Sequence, residues 1–564
     1  MKKKVLYIAS LCLSMSLLPA CNDFLDQVPL DTPTTATFLQ TEVEMNAGLT
    51  GAYSSIRWES ATVPFQVFFD HWTDIGVERN QGNAAGVFDV NNGSVSSLWN
   101  FAYTTIQRTN NLIAGMEAGK GNVPEATYNR IQAEARVLRA FAYYHLVFMY
   151  GDVPLITKPL APEEFYTQTR TPKAEVVSFL YKELEEAAPA LNWATQERGR
   201  LNKAVAYGLK ARIALYNKDY ETAAASAQLV MANAGLDLNP KFQDLFTTAG
   251  QKANVNKEIM FELLYSDAYT NSITYVPLGH GSRSLGGQSG RFPTQRLVDM
   301  FEGKDGKRID ESQVYDSSKP RLNRDKRLKY TVVMNGDTIT ENKQTAVFNI
   351  YSDKTNFLEN GAWVTRTNGD FSNAFGPVKN GVGYLWAKYS FSDETLFTSK
   401  VSWIFMRYAE ILLTYAEAKI ELGQIDNTVI DALNKVRARA GQPNVDASIA
   451  GNQRELQELV RRERTVELAL EGFRWFDIRR WQIAELVMPG AVYGAALNPA
   501  NVPATPNFKL TDKHDLNSIP DYTASAALRF KRDNRLFEAK HYLLPIPQRE
   551  RDLSKTLSQN TGWN

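Results

Sequence analysis

The amino-acid sequence predicts a mainly α-helical fold, in which helical hairpins form a scaffold and a loop-rich insertion carries short β-hairpins. Three observations support this prediction. Apolar residues recur at steps of three or four along several long windows, which places them on one face of a helix. Small residues recur where two such helices would cross. Glycine and asparagine are dense between about 265 and 400, which favours turns over long helices there.

The first predicted hairpin joins a helix from about Val95 to Met116 to a second helix that ends near Tyr150. One face of the second helix carries residues at helical spacing: Ile131, Ala135, Leu138, Ala142, His145 and Phe148. The helix is predicted to stop at Gly151, because glycine favours a helix exit and Pro154 cannot continue the helix.

The second predicted hairpin covers residues 201–217 and 220–234. Its alanines stand where two helices would approach closely, at Ala211, Ala214, Ala223 and Ala227. This small-residue spacing is typical of a tetratricopeptide unit. A weaker third copy covers 408–422 and 428–440. Unrelated helical hairpins are the alternative, because only the second pair matches the spacing well.

The central region from 265 to 400 has a different character. Glycines cluster at 279–281 and 286–290, and β-prone runs at Lys329–Met334 and Thr345–Ile350 flank Asn335-Gly336. Long loops on a rigid scaffold usually carry binding or catalysis. We therefore expect ligand contacts in this insertion.

The N-terminus has the features of an export signal. Three lysines precede a mostly apolar stretch of 14 residues, Val5–Leu18, which is shorter than the roughly 20 residues that span a bilayer. The sequence Leu18-Pro19-Ala20-Cys21 resembles a bacterial lipobox, so residues 1–20 would be removed and Cys21 would be lipidated. Two or three acyl chains anchor a protein stably. An ordinary signal peptide with a chance cysteine is the alternative.

Charge and cysteine content exclude several classes of function. The chain has 63 basic and 62 acidic residues, so no global basic field attracts nucleic acid. Loss of the three N-terminal lysines would leave 60 basic against 62 acidic residues, which favours neutral ligands. No cysteine follows Cys21, which excludes a disulfide framework, a cysteine zinc site and a cysteine nucleophile in the folded body.

Catalytic signatures are absent from the sequence. The five histidines are scattered, and none forms the zinc-binding His-Glu-x-x-His motif. The glycine-rich runs lack the spacing of a dinucleotide fingerprint, a phosphate loop or a nucleophile elbow. We therefore predict that the protein is not an enzyme and holds no cofactor and no metal.

A long motif near the C-terminus, Arg461–Trp481, combines charged and aromatic residues. Its glutamates recur at i,i+4 on one helical face, where Arg464 and Arg474 are expected to neutralise part of their charge. Gly472 is expected to bend or end the helix. The aromatic residues are predicted to be buried: Phe473, Trp475, Phe476 and Trp481. A carbohydrate site built from these tryptophans is the alternative.

Together with Arg407–Leu413, Tyr542–Gln548 and Gln559–Trp563, this motif resembles the SusD/RagB family of outer-membrane nutrient-binding lipoproteins. The resemblance spans essentially the whole chain and implies a tetratricopeptide-like scaffold beneath a loop-rich face. It also implies a lipid-anchored position on the outside of the cell outer membrane, over a SusC-like TonB-dependent barrel. Members capture glycans, or peptides in the RagB branch, for import, and they are not enzymes.

A site for a neutral sugar needs aromatic rings for its C–H faces and polar side chains for its hydroxyls. Segments with this mixture supply the candidate ligand-binding residues: Trp72, Asp74, Arg79, Trp99, Tyr275, Arg283, Trp363, Tyr384 and Trp386. Family members similar to this chain stack sugar near the Trp99 position and bond it from the Asp74 region. For each candidate, core packing is the alternative.

The predicted organisation is one compact unit after the signal. It comprises a signal peptide (1–20), a lipidated tether (21–37), an N-terminal helical part (38–264), the ligand-face insertion (265–400) and a C-terminal helical part (401–564). The leading hypothesis is an oligosaccharide receptor that delivers its ligand to the barrel, and a peptide receptor with the same partner is the alternative. A lipoprotein glycosidase and a purely structural subunit remain as further hypotheses.

Overall fold

The computed structural model describes residues 38–80, 82–194, 197–252, 257–265, 273–390, 395–509 and 519–563. The predicted signal peptide, Cys21 and the tether lie outside these described residues.

Helices form most of the scaffold. The first half of the chain contains α1 (Glu42–Ser54), α2 (Gln66–His71), α3 (Gly93–Gly115), α4 (Glu125–Tyr150), α5 (Lys173–Ala187), α6 (Lys203–Tyr216), α7 (Tyr220–Asn233), α8 (Thr248–Lys252) and α9 (Val276–His280). The second half contains α10 (Gln295–Met300), α11 (Lys326–Thr331), α12 (Gly369–Ser372), α13 (Tyr408–Glu421), α14 (Asn427–Ala440), α15 (Gln453–Glu467), α16 (Arg474–Arg480), α17 (Ala484–Val487) and α18 (Gln548–Leu553).

The three predicted hairpins are confirmed as the helix pairs α3/α4, α6/α7 and α13/α14, each packed along its partner. The four alanines of the second hairpin are fully buried, so their small size lets α6 and α7 approach closely. A Cβ at Gly208 would lie only 2.6 Å from the Met406 sulfur. Because α13 also lies against α7, the second and third hairpins stack on each other.

Polar side chains cap the N-termini of three of these helices. Asn92, Asn202 and Asp219 each accept a hydrogen bond from a backbone N–H in the first turn of α3, α6 and α7. Such caps satisfy donors that have no partner within the helix. Helix α14 ends at Gly441, whose φ of +70° is left-handed and suits glycine.

Strands are short and scattered over the scaffold. They are β1 (Glu59–Ser60), β2 (Val63–Pro64), β3 (Gly76–Glu78), β4 (Ile259–Leu263), β5 (Arg291–Pro293), β6 (Val332–Val333), β7 (Thr338–Glu341), β8 (Gln344–Val347), β9 (Lys354–Glu359), β10 (Ala362–Thr367), β11 (Leu385–Trp386), β12 (Trp403–Arg407), β13 (Gly490–Ala496), β14 (Asn507–Lys509), β15 (Ile519–Asp521) and β16 (Arg529–Arg535). Strands β7 to β10 form an antiparallel sheet of order β10-β9-β8-β7, and the other strands pair two by two.

The predicted strand at Lys329–Met334 is only partly present. Its first residues belong to α11, which begins because the Asp325 carboxylate caps the Arg327 N–H. The strand proper is β6, which pairs with β11 instead of folding back across Asn335-Gly336. The turn is nevertheless present, since the Asp337 N–H donates to the Met334 carbonyl at 3.0 Å.

Side chains from Leu39 to Ile546 contribute to the main apolar core, and a second, smaller cluster contains Ile478 and Trp481. The aromatic residues of the C-terminal motif are buried as predicted, with Trp475 3% and Trp481 6% exposed. The alternative of a carbohydrate site built from these two tryptophans is therefore wrong, because neither ring has a face free for a ligand.

The helix of the motif ends earlier than predicted. Helix α15 stops at Glu467, and Leu470 and Gly472 then adopt φ values of +61° and +86°. A Cβ at Gly472 would lie 3.0 Å from the Gln66 carbonyl oxygen. The Gly472 N–H donates to the buried Asp70 carboxylate at 3.0 Å, so this turn is held by α2 at the other end of the chain.

The prediction that Arg464 and Arg474 neutralise the glutamates of the motif is wrong. Arg464 pairs with Asp477 and Arg474 pairs with Asp74, each at 2.8 Å. The i,i+4 rule describes pairs along one exposed helix, whereas this face of α15 is buried and meets charges from distant segments.

A buried carboxylate network surrounds Arg407 instead. Its guanidinium lies 2.7 Å from Glu258, 2.6 Å from Glu467 and 2.7 Å from Glu471, and these four side chains are at most 1% exposed. Other cations reach the same carboxylates: Arg327, Lys388 and Arg439. Each of these carboxylates thus has at least one cation at ion-pair distance, which reduces the cost of removing the ions from water.

Candidate functional site

Strands β3 and β5 position Arg79. They pair in antiparallel register, with Glu78 opposite Arg291, and Arg79 follows directly. The Arg79 N–H donates to the Gly290 carbonyl at 2.8 Å, and its guanidinium donates to the Gln288 carbonyl at 3.1 Å. Arg79 is half-buried, so its guanidinium is oriented but still accessible.

The glycine-rich segment 279–290 positions Arg283. Its backbone folds back on itself so closely that a Cβ at Gly287 would lie 2.2 Å from the Gly281 carbonyl carbon. Only glycine fits such an approach. The tight turn between them carries the half-buried Arg283, whose backbone N–H donates to the buried Asp370 carboxylate at 2.8 Å.

Asp370 lies near the start of the segment that carries Phe375. Helix α12 starts at Gly369, and the Phe375 N–H then donates to the Asn373 side-chain oxygen at 2.8 Å. The Phe375 ring is 54% exposed. The guanidinium carbons of Arg79 and Arg283 lie 4.8 Å and 5.4 Å from its centroid, within cation–π range. We call these three side chains the arginine–phenylalanine face.

Positive charges crowd this face. Burial and then the nearby Arg532 charge lower the pKa of Arg79, and burial and then the Arg79 charge lower the pKa of Arg283. Guanidinium groups stay protonated in proteins. The face therefore offers one exposed aromatic surface and two sets of charged hydrogen-bond donors.

Beneath the face lies Glu341, the last residue of β7. Its carboxylate accepts from the Ser282 N–H at 2.8 Å, one residue before Arg283. Burial, together with the Asp370 charge, raises the pKa of Glu341 to about 8. Glu341 is thus mostly protonated at neutral pH and supports the Arg283 turn as a neutral group.

Glu341→Gln is expected to stabilise the protein most at high pH. A carboxyl whose folded pKa of about 8 exceeds its ordinary 4.5 keeps its proton between these values in the folded state only, so stability falls as pH rises through that window. Glutamine removes this titration. Chemical denaturation at several pH values should show a variant advantage that grows from acidic to alkaline pH.

Glu359→Gln is the matched control, because Glu359 is exposed and pairs with Arg366 at the surface. Arg366 lowers the pKa of Glu359 below its ordinary 4.5, so above about pH 5 the difference of this variant from the wild type should not change with rising pH. A Glu341→Gln advantage that is constant across the pH range would contradict the assignment.

Three of the predicted site residues are core residues. Trp72 and Trp386 are 2% and 0% exposed, and Trp72 packs edge-on against Trp475 with ring centroids 5.8 Å apart. Asp74 is buried in its pair with Arg474. Their expected role as ligand contacts is therefore corrected, because these side chains present no surface to a ligand.

Two other predicted residues line separate cavities. Trp99 packs on Tyr103 and Tyr150 at the wall of a cavity of about 560 Å³ next to α3. Tyr384 donates to the Gln295 side-chain oxygen at 2.6 Å and borders a cavity of about 330 Å³. Both rings are nearly buried, at 3% and 4% exposure.

The remaining aromatic candidates are more accessible. Trp363 is 51% exposed on β10, opposite Leu358 on β9. Tyr275 is half-buried ahead of α9. Of the nine predicted residues, Arg79 and Arg283 are thus the two that meet, and they meet on a ring that the sequence did not single out.

Phe375 was missed because nothing in its local pattern marks it. It stands in a run rich in asparagine and glycine, 368–383, in which an apolar ring has few neighbours to pack against. The same run also contains Phe371, so the presence of an aromatic residue there does not by itself distinguish Phe375.

Two further properties concern the described residues alone. None of their helices combines the length and apolar character needed to cross a membrane. Within the same residues, no group of three or more histidine or carboxylate side chains is arranged so that it could hold a metal ion.

Family models match both halves of the chain. The model of the SusD family matches residues 257–563. A second model, described as starch-binding and associating with the outer membrane, matches residues 23–215.

Named relatives extend over most of the chain. SusD-like protein P2 of Formosa agariphila is 28% identical over 524 residues, which cover 87% of this chain and 92% of that protein. A SusD-like protein of Bacteroides ovatus is 24% identical over 512 residues, with 85% and 83% covered.

Solved structures share the architecture. The structure of a SusD-like carbohydrate binding protein from Bacteroides fragilis is similar with a TM-score of 0.76 and 26% identity, covering 93% of this chain and all of that one. A laminarin binding SusD-like protein has a TM-score of 0.64 at 20% identity, covering 93% and 100%. At this lower identity, the likeness concerns the fold.

Proposed function

The chain belongs to the SusD family, and from this premise we propose that it is a cell-surface lipoprotein that binds glycans and delivers them to a SusC-like TonB-dependent transporter. The motifs at 407–413, 461–481, 542–548 and 559–563, on which the resemblance rested, all lie within the matched region 257–563. The similar Bacteroides fragilis structure is described as carbohydrate binding, and the N-terminal family model as starch-binding. Both descriptions support a glycan ligand.

One observation carries the proposal. The exposed Phe375 ring is flanked by the guanidinium groups of Arg79 and Arg283. A sugar ring offers apolar C–H faces and a rim of oxygen atoms, which suit an aromatic surface bordered by hydrogen-bond donors. The Asp370 carboxylate and the glycine turn hold this surface in place, and such preorganisation favours binding.

The N-terminal sequence and the family membership support the anchoring and delivery parts of this proposal. Cys21 in its lipobox is proposed as the lipid attachment site, and the outer-membrane association in the N-terminal family description supports this position. The proposed action is capture and release without bond making. Because cargo must be released to the transporter, we expect moderate affinity.

Phe375→Ala is expected to weaken glycan binding about fivefold to tenfold, because it removes the aromatic surface and the roughly 1 kcal/mol of ring contact it supplies. Residues 22–564 would be titrated calorimetrically with a panel of neutral and acidic polysaccharides and with peptides. The best ligand of the panel would then be titrated against the variant.

Phe397→Ala is the matched control, because the Phe397 ring is 52% exposed, nearly as much as that of Phe375, but lies outside the face. It should bind as the wild type does. Equal affinities of the two variants would contradict the placement of the site. Saturable peptide binding without any glycan binding would instead favour the peptide receptor.

A further inference from the structure

The charges of the arginine–phenylalanine face are unbalanced. A third guanidinium, that of Arg532, donates to the Arg79 carbonyl and to the Asn380 carbonyl. A fourth, that of Arg291, lies under the ring of Phe68 and is 3.8 Å from the Glu78 carboxylate. The guanidinium groups of Arg79, Arg283 and Arg291 thus gather where, within the described part of the chain, one carboxylate, that of Glu78, lies at ion-pair distance.

The other carboxylates near the face are already engaged or neutral. Asp370 accepts from the Ser282 hydroxyl and the Arg283 N–H, and burial raises its pKa. Glu341, with its pKa of about 8, is mostly protonated at neutral pH. Among the described residues, neither guanidinium has a carboxylate at ion-pair distance: that of Arg79 donates to the Gln288 carbonyl and lies over Phe375, and that of Arg283 lies over Phe375, with the Asp370 charge acting on it from farther away.

This arrangement favours a negatively charged ligand over a neutral one. Like charges that share one ring repel each other, and an anion between them would relieve the repulsion. The planar guanidinium fork also matches the paired oxygens of a carboxylate or a sulfate, and such charge-assisted bonds are about twice as strong as neutral ones.

We propose that the arginine–phenylalanine face binds an acidic glycan, whose carboxylate or sulfate group lies between Arg79 and Arg283 while its sugar ring covers Phe375. This inference rests on the proposed function and adds the chemical class of the ligand. The near-neutral chain as a whole favoured uncharged ligands, but a local patch sets the field that a bound ligand meets.

Matched pairs of polysaccharides test the charge directly. Polygalacturonate would be compared with its fully methyl-esterified form, and κ-carrageenan with its desulfated form, by calorimetric titration of residues 22–564. We expect at least one acidic form to bind about tenfold more tightly than its neutral partner. Its affinity should fall as sodium chloride rises from about 0.05 to about 0.5 M.

The double variant R79Q/R283Q should weaken binding of that acidic glycan about tenfold or more. The control R108Q/R366Q removes the same net charge from exposed arginines elsewhere and should bind as the wild type does. Arg283→Lys, which keeps the charge but not the fork, should fall between them. Preference for the uronate pair or for the sulfate pair would identify the anionic group.

Equal binding of acidic and neutral partners, or binding that salt does not weaken, would overturn the acidic-ligand inference while leaving glycan binding intact. Both readouts use the unsubstituted protein, so they hold even if a variant folds poorly. Binding of no polysaccharide, acidic or neutral, would overturn the proposed function and this inference with it.

Discussion

Arg407→Met is expected to lower the free energy of unfolding by about 3–5 kcal/mol, the usual cost of removing one partner from a buried ion network. Arg407 contacts three carboxylates, those of Glu258, Glu467 and Glu471, and donates also to the Glu467 carbonyl at 2.8 Å. Without it, these carboxylates would be left inside the core with too few cations. Urea denaturation followed by circular dichroism would measure the change.

Arg366→Met provides the comparison, because Arg366 also pairs with a glutamate but is 55% exposed. Exposed pairs contribute about 0–1 kcal/mol, so this variant should unfold almost as the wild type does. Arg407→Lys keeps the positive charge without the planar fork and should be intermediate. If Arg407→Met lowered the free energy of unfolding as little as Arg366→Met does, the prediction would be wrong, and the remaining cations would compensate for the loss of Arg407.

Gly287→Ala is expected to destabilise the protein by about 3 kcal/mol, the upper range for forcing atoms into a filled space, and to weaken glycan binding as well. The new methyl group would meet backbone atoms of Gly281 at 2.2–2.6 Å, and backbone cannot rotate aside as a side chain can. The turn would have to open, which would displace the Gln288 carbonyl that holds the Arg79 guanidinium.

Gly51→Ala is the control for this variant. Gly51 lies inside α1, and a Cβ there would meet nothing within 4 Å. Alanine should therefore stabilise the protein by about 0.5–1 kcal/mol. Thermal melting and calorimetric titration of both variants would test the pair. A Gly287→Ala variant with unchanged stability and affinity would refute the role assigned to the turn.

The scaffold was predictable from the sequence because its signals are local. Periodic apolar residues and the alanines of the second hairpin report on contacts between neighbouring helices, and the helix ends follow from nearby caps and glycines. The partners of the motif glutamates were not predictable in this way. Arg407 meets Glu258 across 149 positions of sequence, and no spacing rule connects residues so far apart.

The site was predictable only in part for the same reason. Arg79 and Arg283 were identified by their residue type, yet Arg79 is held by Gln288, 209 positions away, and the two share a ring that carries no sequence signal. Trp72 and Trp386 were predicted to contact the ligand, but both rings are buried in the core. Composition marks a tryptophan as able to bind sugar but does not tell whether its ring is buried.

The contact between Asp70 and the turn at Gly472 has a consequence for the order of folding. The buried Asp70 carboxylate accepts the N–H groups of Gly472 and Arg474, 402 and 404 positions later. A nascent chain that ends before this turn would have to bury Asp70 without its hydrogen-bond donors, which is unfavourable. We therefore expect the part of the N-terminal core around Asp70 to reach its final packing only after the C-terminal motif has been synthesised. Such high contact order predicts slow folding that is completed only after the whole chain is released.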